Sequence, residues 1–189
     1  MSDDRSQLGF LISALGAAVL AVSVFLPWYG VSITASGVAS AQQQLATVAQ
    51  QYGNTTLQAG ASQLGAEFTS LAGHQLATVS AHEALKDISV IVLLLAGISL
   101  LAALLRLAGI GGLLDAGGGS IALAGGLAAL FVLYRMVNPP GAQTELVSLS
   151  LNWGIWLALL STGAIIGGGF LAASNQARRQ PAGSYESQI

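Results

Sequence analysis

Cysteine is missing from this 189-residue chain, which excludes disulfides and thiolate metal sites. Charge is nearly missing too. Asp, Glu, Lys and Arg make up 7% of the residues, against about 25% in a typical soluble domain. So few charges cannot cover a water-facing surface. The six bases and eight acids leave a net charge of −2, without the basic footprint of a nucleic-acid binder, so no nucleic-acid partner is expected. Four stretches hold no ionisable residue at all: residues 8–26, 88–105, 116–134 and 153–173. Ion- and proton-coupled transporters place ionisable groups at membrane depth, so this gap counts against that class.

What is present is apolar. Hydrophobic residues make up 53% of the chain, and its mean hydropathy is +0.70. A helix rises 1.5 Å per residue, so about 19 residues reach roughly 28 Å, close to the hydrocarbon thickness of a bilayer. The four runs therefore predict an all-α, four-pass membrane protein. The first run resists a signal-peptide reading. Its leading segment, Met1-Ser2-Asp3-Asp4-Arg5, is acidic, the run is long, and Ala39-Ser40-Ala41 lies far beyond it.

The expected layout is a cytoplasmic N-terminus at 1–7, then spans at 8–27, 88–105, 116–136 and 153–174. Between them lie an extracytoplasmic segment at 28–87, a cytoplasmic turn at 106–115 and an extracytoplasmic loop at 137–152, with a disordered cytoplasmic tail at 175–189. Basic residues set the orientation. Both termini inside puts Arg5, Arg106, Arg178 and Arg179 in the cytoplasm and Lys86 and Arg135 outside. Aromatics mark the opposite face: Trp28 and Tyr29 after the first run, Tyr134 ending the third, Trp153 and Trp156 opening the fourth. They read as an interfacial belt.

Two segments beside that face alternate apolar and polar residues. Val31 and Ile33 alternate with Ser32 and Thr34; Val147, Leu149 and Leu151 alternate with Ser148 and Ser150. Period-two alternation predicts strands, pairing into a two-stranded sheet over the bundle; extended loop is the alternative. The stretch between the first strand and second span reads as an inserted helical hairpin, within residues 38–80. Leu45, Val48 and Tyr52 share one helical face, as do Leu57, Leu64, Phe68 and Leu71. Gly53-Asn54 divides the two, with Asn54 as N-cap, and Gly73 stops the second. The third span ends in Asn138-Pro139-Pro140-Gly141, which no helix crosses.

Leu26-Pro27-Trp28-Tyr29, then Leu133-Tyr134-Arg135-Met136-Val137-Asn138-Pro139-Pro140-Gly141, then Gly154-x-Trp156-x-Ala158-Leu159 form a set of short motifs. The set resembles uncharacterised four-pass membrane proteins typical of actinobacteria. That resemblance covers the four-helix frame but not the hairpin, and it implies a fold and a membrane location without an activity. The layout is also similar to claudin-type tetraspan architecture, by analogy alone, since that family's cysteine pair is absent.

Candidate sites are few. Arg135 reads either as a contact for a lipid headgroup or partner, or as an ion pair with Glu145, Glu83 or Asp87. His74, His82 and Glu83 are too few to close a metal site, and read as solvated loop residues. Asn54-Thr55-Thr56 matches a glycosylation sequon, with a simple cap as the plainer reading. Small residues carry more weight: Gly163-x-x-x-Gly167 with Gly168 and Gly169, the four-residue series Gly9, Ser13, Ala17, and Gly117–Gly119 with Gly125-Gly126. Small-xxx-small spacing lets helices approach closely in lipid, inside the bundle or at an oligomeric seam.

No catalytic, cofactor or metal residues are expected. The role read from the chain is a non-enzymatic structural or accessory subunit that binds a protein partner, or a second copy, through the hairpin or a glycine-rich face. A carrier or pore without ion coupling is the second class, and an enzyme the third. Orientation is checked by cysteine labelling of intact cells. Ser62→Cys is expected to react with an impermeant maleimide, and Ser6→Cys and Ser184→Cys only after lysis. Protection of Ser62→Cys would reverse the topology.

Overall fold

The structure, a computed structural model, describes residues 2–53, 55–84, 86–110, 117–140 and 147–177. The readings for Asn54, Asp115, Gly141, Glu145 and the tail beyond Ala177 fall outside these, as do the side chains of Leu57 and Asp87. The protein is mostly helical. Its elements run α1 (Ser2–Ser23), β1 (Pro27–Ile33), α2 (Ala35–Gln51), α3 (Thr55–Leu71), β2 (Gln75–Ser80), α4 (Ala81–Ala84), α5 (Lys86–Leu107), α6 (Gly118–Val137), β3 (Val147–Leu151) and α7 (Trp153–Ala177).

Four of the helices are long and apolar enough to cross a membrane: Arg5–Ser23, Ile88–Leu107, Gly118–Val137 and Trp153–Ser174. They form an antiparallel ring in the order α5, α1, α7, α6, with α6 closing back on α5. The interior holds Leu20, Val24, Val92, Ile121, Val132, Ile155 and Ile165, with alanines between them. The outward faces carry large apolar side chains such as Leu15, Leu94, Leu123 and Leu160.

The α1–α7 seam is the most extensive, and small residues make it so. At the neighbouring α6–α7 seam a β-carbon at Gly169 would lie 2.7 Å from the Gly118 carbonyl oxygen, and across α1–α7 one at Gly9 would lie 2.7 Å from that of Gly168. Such approach tolerates no side chain. The buried Ser13 Oγ donates across the same seam to the Ile165 carbonyl at 3.2 Å. Gly163 and Gly167 face the other way: among the described residues nothing lies within 4 Å of where their β-carbons would stand. Within the fourth run, the internal packing therefore belongs to Gly168 and Gly169, one residue round the helix from the Gly163-x-x-x-Gly167 pair.

The sheet has three strands, not the expected two, in the order β2-β1-β3 and antiparallel throughout. The β1–β3 pairing sets Val31 opposite Leu149 and Ser32 opposite Ser148. The added strand, β2, falls within the stretch whose sequence predicts a helical insertion. It is an edge strand whose residues 75–78 are exposed on both faces, so burial imposes no apolar alternation on it.

The first helix also stops earlier than its apolar run. Ser23 Oγ bonds the Leu20 carbonyl at 2.6 Å. The Ser23 carbonyl then accepts the Leu26 N–H at 3.1 Å and the Trp28 Nε1–H at 2.7 Å. Pro27 cannot continue a helix and restricts the residue before it. The chain turns back, and Trp28 and Tyr29, each 1% exposed, face inward instead of joining an interfacial belt. Tyr134, Trp153 and Trp156 stay exposed at this same end of the bundle.

Packing of this kind makes a sharp contrast. Gly168→Val is expected to destabilise the protein by about 2 kcal/mol or more through overpacking, whereas Gly167→Val leaves the unfolding midpoint of the monomer unchanged. Thermal unfolding in detergent checks both. Equal effects would mean the two glycines do not differ in their surroundings.

Candidate functional site

The sheet end of the bundle gathers most of the residues singled out in the sequence. It holds two features: a polar joint between β1 and α6, and an apolar cleft in the α2–α3 hairpin.

The joint is built on Tyr29. Its hydroxyl donates to the Arg135 backbone carbonyl at 3.0 Å. That carbonyl belongs to the last turn of α6, where four such groups lack a partner within the helix. Nearby, the Asn138 N–H bonds the Tyr134 carbonyl at 2.8 Å, so two of those carbonyls are satisfied. Burial pushes the Tyr29 pKa up to about 12, the Arg135 guanidinium drawing it part of the way back. The Arg135 guanidinium lies 5.5 Å from the centre of the Tyr134 ring, and its Nη1 reaches the Asn138 carbonyl at a long 3.4 Å. Its Nε is buried without an acceptor among the described residues. Pro139 and Pro140 follow, half-buried.

Glu83, one of the three acids considered for Arg135, is engaged elsewhere. Its carboxylate accepts the Ser80 N–H at 3.0 Å and the Ser80 hydroxyl at 2.9 Å, while Ser80 Oγ accepts the Glu83 N–H at 3.2 Å. This is a reciprocal capping box opening α4. The backbone and then the hydroxyl bonds from Ser80 hold the Glu83 carboxyl below its ordinary pKa. His82 rests against the Phe25 ring, centroids 5.6 Å apart. No group of three metal-binding side chains occurs among the described residues.

The hairpin starts cleanly. Thr34 caps α2, its hydroxyl accepting the Gly37 N–H at 3.1 Å. Gly53 turns the chain at φ +61°, and Gly73 ends the insertion at φ +82°, a region that only glycine enters freely. The Gly73 N–H bonds the Ile33 carbonyl at 2.9 Å, so the two ends of the insertion meet. Helices α2 and α3 pack on each other and have no comparable interface with the bundle.

Where the hairpin leaves the sheet, Ile33, Val38, Ala41, Leu45, Leu64, Phe68 and Val147 enclose a cleft of about 330 Å³. Among the described residues Gln42 brings the one polar side chain to its lining, and Gly65 makes room for that chain to lie across α3. Leu45, Leu64 and Phe68 are 49%, 52% and 45% exposed, so the cleft is open on one side. Its size sits at the lower end of the range for ligand pockets. Of the residues placed on the hairpin face from sequence, these three line the cleft, while Val48, Tyr52 and Leu71 are exposed outside it. Val38 and Ala41 were missed. A signal existed, since Val38, Ala41 and Leu45 fall at i, i+3 and i+7, one turn earlier than the stripe that was read. Ile33 and Val147 join the cleft only through strand pairing, across a gap no local pattern spans.

Searches against protein-family models, curated proteins and solved structures each find no match.

The Tyr29 joint carries its own pH dependence. The folded state favours the neutral phenol, so its contribution to stability is complete below pH 10 and is lost as pH rises through about 12. The difference in phenolate absorbance between wild type and Tyr29→Phe is expected to develop near pH 12. At neutral pH, Tyr29→Phe is expected to cost about 1 kcal/mol, the worth of one hydrogen bond.

Proposed function

We propose that this chain is a multi-pass protein of the cell membrane, with both termini in the cytoplasm, that serves as a non-enzymatic accessory subunit. In this reading its extracytoplasmic hairpin takes an apolar segment of a partner protein into the α2–α3 cleft. Membrane insertion is supported by the outward faces: Leu123 and Leu160, each 73% exposed, belong to apolar surfaces too large for a soluble monomer. The partner role rests on one observation above all. A hairpin that hardly touches the bundle keeps an open, apolar-lined cleft, and exposed apolar concavities of this kind mark interaction sites. Gly163 and Gly167, with nothing opposite them, offer a second seam for a helix within the membrane.

A pore has less support, because Leu20, Ile121, Ile155 and Ile165 fill the space between the helices. A small apolar ligand would also suit the cleft, and the same experiment separates it from a protein. Ser32 pairs with Gln75 in the sheet, so residues 34–73 can be replaced by Asn-Gly, a two-residue turn suited to antiparallel strands. The shortened protein is expected to fractionate with membranes and keep its unfolding midpoint, while losing the protein that co-purifies with wild type in mild detergent. Leu64→Glu is expected to weaken that association roughly tenfold, as loss of a central apolar contact does. Recovery of the same partner by both variants would overturn the reading. Wild type that binds a small apolar ligand and no protein would replace the partner with that ligand.

A further inference from the structure

We propose that Arg135 and the groove between α5 and α6 form a binding site for one anionic phospholipid. The inference rests on the membrane reading above.

The groove is the weak place in the helix ring. The α5–α6 interface is the sparsest of the four. At its sheet end Ile88 of α5 and Leu127, Leu130, Phe131 and Tyr134 of α6 enclose a hollow of about 370 Å³. The four α6 residues fall at i, i+3, i+4 and i+7, so they form a single stripe along the helix. Among the described residues every lining side chain is apolar except for the hydroxyl of Tyr134. In a bilayer this hollow opens on acyl chains.

A cation lies against one of its lining residues. Arg135 follows Tyr134 directly and lies over that ring. A guanidinium has five N–H donors. The hydrogen bond described for this one is the long contact from Nη1 to the Asn138 carbonyl. Glu83 is occupied by Ser80. The charge also sits at the end of the span, one residue beyond the groove, at the depth where headgroup phosphates lie. Arginine matches a phosphate with two parallel donors. Acyl chain and phosphate are joined in one molecule, and the groove and Arg135 meet its two ends. A single basic residue near the surface favours an anionic over a neutral lipid by about fivefold.

The test uses the full chain in detergent, titrated with dioleoyl phosphatidylglycerol or dioleoyl phosphatidylcholine, with bound lipid read by native mass spectrometry. Wild type is expected to retain one phosphatidylglycerol about fivefold better than phosphatidylcholine. Arg135→Gln is expected to erase the preference while keeping the fold, because Tyr29 bonds the backbone of residue 135 and not its side chain. Leu130→Trp, which fills the groove from its exposed side, is expected to lower retention of both lipids and keeps the test alive should Arg135→Gln not fold. Glu145→Gln is expected to leave the preference in place.

Equal retention by wild type would overturn the proposal, as would a preference that survives Arg135→Gln. A preference seen only in Glu145→Gln would mean that Glu145 already neutralises the arginine, and overturns it too. Displacement of phosphatidylglycerol by inorganic phosphate, with Leu130→Trp indifferent, would reduce the site to a free-anion contact and overturn the lipid. A chain recovered in the soluble fraction sinks the membrane reading itself. One embedded in membranes without lipid preference sinks this proposal alone.

Discussion

The close contact of α1 with α7 is the constraint on which the rest of this fold depends. Where Gly9 meets Gly168, backbone lies against backbone, and the Ser13 hydroxyl reaches across to α7. Small residues let the two backbones approach this closely, which larger side chains would prevent. The contact also dictates what lies above it. Strand β1 leaves the end of α1 and β3 enters the start of α7, so antiparallel helices in contact deliver antiparallel strands side by side. On the other flank of α1 stands α5, and the strand that leads toward it is β2. The sheet order β2-β1-β3 thus repeats the helix order α5-α1-α7. Gly154 completes the arrangement, since a β-carbon there would collide with the Pro27 carbonyl at 2.6 Å.

The fourth helix of the ring has no strand of its own, and Tyr29 supplies the link instead. One hydroxyl from β1 satisfies a carbonyl that α6 leaves open at its end. Trp28 does the corresponding work for α1, using its indole N–H on the Ser23 carbonyl. The Leu-Pro-Trp-Tyr motif is therefore a fastening: proline ends the helix, tryptophan ties the turn, and tyrosine reaches the opposite helix. Large aromatic side chains do this with their polar tips bonded and their rings buried.

How much of this was legible in the sequence depended on whether burial wrote a local pattern. The four long helices were legible because each contains a long run from which charge is excluded. Strands β1 and β3 were legible because each alternates over several residues. Strand β2 was not, because an edge strand exposed on both sides has no reason to alternate. The small residues were visible as a class, yet the spacing in Gly163-x-x-x-Gly167 could not say which side of α7 would pack; Gly168 and Gly169, adjacent in the chain, took that place. Trp28 and Tyr29 read as interfacial because a tryptophan after an apolar run usually is. Only the turn back at Leu26 shows that they point inward. The cleft was half legible: Leu45, Leu64 and Phe68 stood out, whereas Ile33 and Val147 reach it through pairing between distant strands.

That distant pairing sets an order of assembly. Tyr29 lies opposite Leu151, so β1 finds its β3 neighbour only after all the elements between them, α6 included, have been made. The hairpin between them closes through local contacts, which form fast, whereas contacts between remote segments form slowly. Until α6 and α7 arrive, β1 has an open edge, and Trp28 and Tyr29 lack the surroundings that bury them. An unpaired edge next to exposed aromatic rings is the kind of surface that misassembles or recruits chaperones. The nascent chain is therefore most vulnerable between the synthesis of α1 and the arrival of α7.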